Sequence, residues 1–282
     1  MTKTCMLSEE LSKPVIVREV WAHNLEYEFH LIRDVLPEYG DYSLVSIDTE
    51  FPGVIHAPKV DHRRLQPSDY YRYVLKPNVD DLKLIQLGLT LIDGCGHLPD
   101  FDTDNRYIWQ FNFRDFDVER DPHNKDSIDL LRRQGIDFNR CVAQGVDSLR
   151  FAELMSTSGL LFKKPMTWVT FHGAYDFGYL VKTLIRRNLP DSLEEFLNIL
   201  EMLFGRNIYD MKHMIRYSNA LYGGLDRVAS TLNVDRAVGK CHQSGSDSLL
   251  TWHTFDKLVQ THFSHKEFQK YAGVVFGLEV AR

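Results

Sequence analysis

Apolar residues recur at steps of three and four in several stretches of the chain, which is the spacing that one face of an α-helix requires. In residues 18–36 this spacing runs from Trp21 to Leu36, with Pro37 and Gly40 closing the stretch. It predicts an opening helix over residues 18–36. The same periodicity predicts later helices at residues 127–134, 147–158, 192–204, 225–232 and 246–263, and one that begins directly after His172-Gly173 and has its apolar positions within residues 177–185.

Shorter apolar runs with turn-forming neighbours predict β-strands. They lie at residues 44–51, 84–92, 107–113, 167–171 and 207–210. The second and third runs are close together, so the first three are expected to form an antiparallel meander. Because the later strands alternate with helices, the order predicts an α/β fold with a mixed sheet covered by helices.

A long insert, residues 56–81, separates the first two predicted strands. It is rich in tyrosine and arginine and could be a surface helix or a lid. Its aromatic and basic residues are Tyr70, Tyr71, Tyr73, Arg63, Arg64 and Arg72.

Composition places the chain among globular proteins, since 44% of its 282 residues are hydrophobic and 26% are charged. It contains no internal repeat and no linker rich in Pro, Gly or Ser, which favours one domain at residues 17–282 after an N-terminal extension at residues 1–16. The net charge of −6 argues against non-specific adhesion to nucleic acid or to an anionic membrane. A phosphate-bearing substrate must therefore be held locally.

The four cysteines are widely spaced and form no CxxC pair, so neither a zinc knuckle nor a disulfide framework is indicated. The first 13 residues lack the apolar run of a secretory signal, and no apolar stretch is long enough to span a bilayer. We expect a soluble intracellular protein that does not bind membranes.

Two acids stand near the end of the first predicted strand, in the segment Ser46-Ile47-Asp48-Thr49-Glu50-Phe51. Because strand side chains alternate, Asp48 and Glu50 leave the same face of the sheet. Two neighbouring carboxylates repel each other and resist desolvation, which indicates bound cations or arginines. The alternative is an exposed strand end where both acids are solvated.

Three further candidates follow later in the chain. Asp176 is predicted in the first turn of a helix, where the helix dipole alone favours an acid. His242 precedes Asp247 by five residues, across a Gly/Ser turn that leads into the last predicted helix. Ser246 or Asp247 could simply cap this helix, and His242 could be an ordinary loop histidine.

The residues around these candidates point to a more specific interpretation. The candidates follow one another in the order Asp48, Glu50, Asp176, His242 and Asp247. The three segments are IDTEFPG, WVTFHGAYDFGYL and HQSGSDSLL. They resemble the three exonuclease motifs of the histidine-containing branch of the DEDD superfamily. Together with LKLIQLGLTL, IWQFNF and YGGLDRVA, they resemble more closely the CCR-associated factor one deadenylases, over nearly the whole chain from residue 20 to residue 277.

This resemblance implies a ribonuclease H-like fold in which the acids converge on the sheet. It also implies a reaction that removes 3′-terminal nucleotides from mRNA poly(A) tails and releases 5′-AMP. Asp48, Glu50, Asp176 and Asp247 would hold two divalent ions, Mg²⁺ or Mn²⁺, and His242 would act as the general base. A general 3′ exonuclease on other RNA or DNA would use the same residues, and an inactive scaffold of a decay complex is a further alternative.

Single-stranded RNA also needs surfaces on which bases can stack, and Phe51 and His172 are the candidates. Phe51 could equally be a core residue, and His172 a plain loop histidine. The resemblance further implies partners, namely poly(A) RNA, the NOT scaffold and a second deadenylase of the endonuclease-exonuclease-phosphatase type. It implies a location in the cytoplasm, in processing bodies and sometimes in the nucleus.

Overall fold

Six strands form one mixed β-sheet in the protein, which the computed structural model describes over residues 13–36, 42–57, 65–162, 166–218, 220–263 and 267–280. The strands are β1 (Val15–Val20), β2 (Tyr42–Glu50), β3 (Gln86–Asp93), β4 (Arg106–Asn112), β5 (Thr167–Thr170) and β6 (Ile208–Asp210). Their order across the sheet is β1-β4-β3-β2-β5-β6. The predicted meander is confirmed, because β2, β3 and β4 pair antiparallel, while β5 and β6 join β2 in parallel.

Helices cover both faces of this sheet. In chain order they are α1 (Leu25–Val35), α2 (Pro67–Tyr70), a π-helical turn (Tyr71–Leu75), α3 (Lys76–Asp81), α4 (Lys125–Arg133), α5 (Phe138–Gln144), α6 (Ser148–Thr157), α7 (Ala174–Ile185), α8 (Leu193–Phe204), α9 (Met211–Met214), α10 (Leu225–Thr231) and α11 (Ser244–His262). Short 3₁₀ turns follow at Ile215–Tyr217 and Phe268–Tyr271. Within the described ranges, no helix is long and apolar enough to span a bilayer.

The prediction of a single helix over residues 18–36 is wrong in its first part. Residues 15–20 form β1, which pairs in parallel with β4 so that Val17 lies opposite Ile108. The helix begins only at Leu25, after a turn in which the Asn24 side chain accepts a hydrogen bond from the Trp21 amide at 2.8 Å. The β-branched residues of this stretch pair with β4, about 90 positions away in the chain. Local periodicity carries no information about such a distant pairing.

The predicted insert is part of the core. Residues 67–81 form the helical segment from α2 to α3, in which Tyr70 and Tyr71 are buried and Tyr73 is exposed. The Tyr71 hydroxyl donates a hydrogen bond to the carbonyl of Pro190 at 2.6 Å. The segment is therefore anchored helix, while Arg63 and Arg64 lie outside the described residues.

The two faces of the sheet bury separate apolar clusters. On one face, Val45 and Ile47 pack in a cluster that includes residues of α1, α6, α7 and α8. On the other, Val169 and Ile108 pack in a cluster that includes residues of α9, α10 and α11. Helix α11 lies against β2, β3, β4 and β5 and is the element that brings the C-terminal part of the chain onto the sheet.

Gly88 in β3 allows the start of α11 to approach the sheet. A Cβ atom at this position would lie 1.8 Å from the Ser244 carbonyl oxygen and 2.6 Å from the Gly245 amide nitrogen. Hydrogen bonds hold the helix in this place, from the Gly245 amide to the Gln110 side chain at 3.2 Å and between Thr90 and Ser248 at 2.8 Å. Only a residue without a side chain fits between β3 and the helix.

We expect Gly88→Ala to lower the free energy of unfolding by about 2 kcal/mol or more, because the three nearest atoms that the methyl group meets all belong to the backbone. Urea unfolding followed by circular dichroism measures this loss. The matched control is Gly94→Ala, in the β3–β4 turn, where an added Cβ has no atom within 4 Å. Equal stability of the two variants would contradict the close approach of α11.

Candidate active site

Acids from three distant segments meet beside the ends of the parallel strands β2 and β5. Asp48 and Glu50 project from β2 toward α11, and Asp247 lies in the first turn of α11. One carboxylate oxygen from each of these three residues lies within 4.8 Å of the others. The structure thus brings together two acids of the first segment and one of the third.

Asp176 approaches the same group from α7, which begins just after β5. Its two carboxylate oxygens accept hydrogen bonds from the hydroxyl groups of Thr49 at 2.5 Å and Thr170 at 2.8 Å. Thr49 stands between the two acids of β2, so strand alternation turns it toward α7. Asp176 lies outside the compact set of three acids, but its charge acts on both Asp48 and Glu50.

His242 lies in the loop before α11, with a positive φ of 58°. Its backbone amide donates a hydrogen bond to Asp247 Oδ2 at 2.8 Å, and its Nδ1 atom lies 3.9 Å from Glu50 Oε1. The side chain is 44% exposed, so the ring borders both the acids and the solvent. All five residues that the motifs singled out for chemistry therefore gather in one region.

The electrostatics of the site are those of crowded, desolvated carboxylates. Burial, followed by repulsion from Asp247 and Asp176, raises the pKa of Asp48 and of Glu50 well above their ordinary values. Burial raises the pKa of Asp176 to about 7, although the two threonine hydroxyls favour its charged form. Since like charges at this spacing repel strongly in a poorly solvated site, the charged forms of these acids need positive charge beside them.

Arg236 supplies part of the missing positive charge. Its guanidinium lies 2.7 Å from Asp247 Oδ1 and 2.7 Å from Asp226 Oδ1, and it donates a hydrogen bond to Ser246. Burial raises the pKa of Asp247, and the neighbouring arginine opposes this rise. The sequence motifs missed Arg236, although the expectation that paired acids attract arginines applies to it.

Cys241 also borders the acids, and its sulfur belongs with His242 and Asp247 to a second set of closely spaced donor atoms. Its thiol donates a hydrogen bond to Asp226 at 3.0 Å, and burial raises its pKa to about 12. A protonated thiol is a poor metal ligand. The oxygen set of Asp48, Glu50 and Asp247 is the better cation site.

The two predicted base-stacking residues have different surroundings. Phe51 lines a cleft of about 500 Å³ together with Asp48, Glu50 and Asp247, and its ring stacks on Tyr175 at 4.8 Å. His172 is absent from this lining. Its ring packs edge-on against Phe276, and its backbone amide donates a hydrogen bond to the buried Asp210 at 2.8 Å. The structure thus places Phe51 at the cleft and His172 in the turn that leads to α7.

The donor chemistry of the cleft fits divalent cations. Clustered carboxylate oxygens are the ligands that Mg²⁺ and Mn²⁺ prefer. A bound cation would also relieve the repulsion that raises the pKa of these acids. With His242 at their border, the acids form a site suited to metal-assisted hydrolysis of a phosphate ester.

Known proteins resemble this chain along most of its length. The family model described as CAF1 family ribonuclease matches residues 20–158 and 151–255. A probable CCR4-associated factor 1 homolog 7 of Arabidopsis thaliana is 49% identical to this chain over 94% of each sequence. Both matches include the segments that contribute the five site residues.

Solved structures agree with these matches. Pop2 of Schizosaccharomyces pombe, named a poly(A) ribonuclease, is 38% identical over 93% of this chain and 75% of its own length. Its structure in an Mg²⁺- and Mn²⁺-bound form superposes on this protein with a TM-score of 0.83, and the match covers 99% of the Pop2 chain in that structure. Yeast CAF1, co-crystallised with the NOT1 MIF4G domain, gives a TM-score of 0.74 at 32% identity, over 93% of this chain and 96% of that one. The protein therefore has the ribonuclease H-like nuclease fold of the Pop2 structures, and it belongs to the CAF1 family of ribonucleases.

Proposed function

We propose that this protein is a 3′-to-5′ exoribonuclease that shortens poly(A) tails and releases 5′-AMP. The observation that supports this most is the gathering of Asp48, Glu50, His242 and Asp247 in one cleft, with Asp176 close enough for its charge to act on Asp48 and Glu50. The preference for adenosine is inferred from the poly(A) ribonuclease Pop2. The reaction type is inferred from the chemistry of the site.

In the proposed mechanism, Asp48, Glu50, Asp176 and Asp247 hold two divalent ions. When bound, the ions supply Lewis-acid stabilisation of the scissile phosphate and lower the pKa of the attacking water. Thr49 and Thr170 fix the Asp176 carboxylate, and Arg236 fixes that of Asp247. His242, at the solvent side of the acids, accepts the proton of the water.

We propose that the NOT scaffold is a partner, since yeast CAF1 was crystallised with the NOT1 MIF4G domain. A second deadenylase of the endonuclease-exonuclease-phosphatase type is proposed as a member of the same assembly. Action in the cytoplasm, in processing bodies and in the nucleus also belongs to this proposal.

Removal of single carboxylate charges should stop the reaction. We expect Asp48→Asn and Asp176→Asn each to lower the rate of oligo(A) shortening by about a thousandfold, because several kcal/mol of transition-state stabilisation depend on the bound cations. The assay follows 5′-labelled oligo(A), oligo(U) and oligo(dA) on sequencing gels. Asp191→Asn, at a fully exposed carboxylate, is the control that should keep the wild-type rate. A folded Asp48→Asn variant with wild-type activity would refute the role of the acids, and equal rates on the three polymers would refute adenosine specificity.

The proposed role of His242 as the general base can be tested through the pH dependence of the rate. We expect His242→Gln to lower kcat by about 10²- to 10⁴-fold and to remove the acid limb of the pH–rate profile, because a histidine base must be unprotonated to act. Manganese affinity, measured by calorimetry, should change little. His30→Gln, at an exposed histidine of α1, serves as the control. An unchanged acid limb in the His242 variant would exclude this role.

The free energy of unfolding should depend on pH, and bound metal should change that dependence. Because the pKa values of Asp48, Glu50 and Asp176 are raised in the folded state, these three groups bind more protons in the folded protein than in the unfolded chain. Without divalent ions, the free energy of unfolding should therefore fall as pH rises from about 4 to about 7. The lower limit is the carboxyl pKa of an unfolded chain, and the upper limit is the pKa of Asp176 in the folded protein.

Mn²⁺ should stabilise the protein more at pH 8 than at pH 5, since the cation replaces the lost protons. Urea unfolding in EDTA or in excess Mn²⁺, at constant ionic strength, measures both effects. The double variant Asp48→Asn/Glu50→Gln should show a smaller fall with pH and less stabilisation by Mn²⁺. Stabilisation by Mn²⁺ equal to that of the wild type would contradict the assigned ligands.

A further inference from the structure

The rim of the catalytic cleft holds an exposed aromatic ring and a cation side by side. Tyr222 is 62% exposed. The guanidinium carbon of Arg227, a residue that lines the cleft, lies 3.8 Å from the centre of the Tyr222 ring. Arg227 also donates a hydrogen bond to the Tyr222 hydroxyl. One face of the ring is thus covered by a cation, and the exposure of the side chain leaves surface for another planar group.

The backbone around this pair is held in place. Gly223 has a φ of 99°, and a Cβ at this position would lie 2.6 Å from Arg227 Cδ. The Lys212 ammonium donates a hydrogen bond to the Gly223 carbonyl and lies 5.5 Å from the ring centre of Phe171, which also lines the cleft. The turn before α10 therefore folds Tyr222 back over Arg227 and ties both to the wall of the cleft.

In the described part of the structure, Arg227 forms no ion pair with a neighbouring acid. The adjacent carboxylate of Asp226 is engaged by Arg236 and by the Cys241 thiol. Among the residues that the structure describes, none places a carboxylate within ion-pair distance of Arg227. Among the described residues that line the cleft, Arg227 is the basic one apart from His242, in a protein of net charge −6. It is thus the local cation that a polyanion would meet beside the acids.

We propose that Tyr222 and Arg227 form a subsite for a nucleotide upstream of the scissile bond, a role that rests on the proposed exoribonuclease function. The base stacks on the face of the Tyr222 ring that Arg227 leaves open, and the guanidinium donates hydrogen bonds to a phosphate of the same strand. Stacking on an aromatic side chain is independent of base pairing and is the usual way in which single-stranded RNA is held. A phosphate contact by arginine adds a salt-sensitive component to binding.

Steady-state kinetics on a 5′-labelled 12-mer of oligo(A), with the first cleavage as readout, tests the stacking. Tyr222→Leu should raise KM about tenfold with kcat changed less than twofold, since one base–aromatic contact contributes on the order of 1–3 kcal/mol. Tyr222→Phe keeps the ring and should restore most of the affinity. The control is Tyr27→Leu, at a tyrosine of α1 that is 58% exposed and has Arg18 at 5.9 Å over its ring but does not line the cleft.

Abasic substitution identifies the nucleotide concerned. Each substrate in a series of oligo(A) molecules carries one abasic residue, at a different upstream position. At one of these positions the abasic residue should raise the KM of the wild type. The KM of Tyr222→Leu for that substrate should equal its KM for intact oligo(A). A KM of Tyr222→Leu within twofold of wild type, or equal losses in the Leu and Phe variants, would overturn the stacking. A wild-type protein that fails to shorten oligo(A) at all would overturn the proposed function itself.

The phosphate contact has a separate readout. We expect Arg227→Met, which keeps most of the side-chain volume, to reduce the slope of log KM against log salt concentration by about 0.7, the value for one phosphate contact on a single strand. Arg227→Lys should keep the wild-type slope because it keeps the charge. An unchanged slope in Arg227→Met would overturn the assignment of the guanidinium to a phosphate.

Discussion

The repulsion among Asp48, Glu50, Asp176 and Asp247 is the constraint on which the rest of the site depends. Left to themselves, these carboxylates would separate or bind protons, and burial raises the pKa of each. The fold holds them together against this tendency. A cleft that keeps several carboxylates close favours the binding of cations, and the proposed chemistry uses the cations that relieve this repulsion.

Three features of the fold enforce this proximity. The parallel strands β2 and β5 lie side by side, so Glu50 and the start of α7 are neighbours. Gly88 lets the first turn of α11 lie directly on β3, which brings Asp247 over Asp48. Polar contacts then orient individual carboxylates, with threonine hydroxyls on Asp176 and a guanidinium on Asp247. Core packing on both faces of the sheet supplies the stability that these acids reduce.

The parts that could be predicted from the sequence are those with a local signature. Alternation placed Asp48 and Glu50 on one face of a strand, and helical periodicity found α7, α8 and α11 to within about two residues. Parallel edge pairing has no local signature, so β1 was predicted as helix. Arg236 and Thr170 were missed because their roles exist only where distant segments meet.

The central claim is that the acids of β2, α7 and α11 together hold paired divalent ions. A crystal structure of the protein with Mn²⁺, using the anomalous scattering of manganese, tests it most directly. The account predicts two peaks about 4 Å apart, each within about 2.3 Å of carboxylate oxygens from Asp48, Glu50, Asp176 or Asp247. Anomalous peaks that lie away from these four side chains, in a crystal with well-ordered acids, would contradict it.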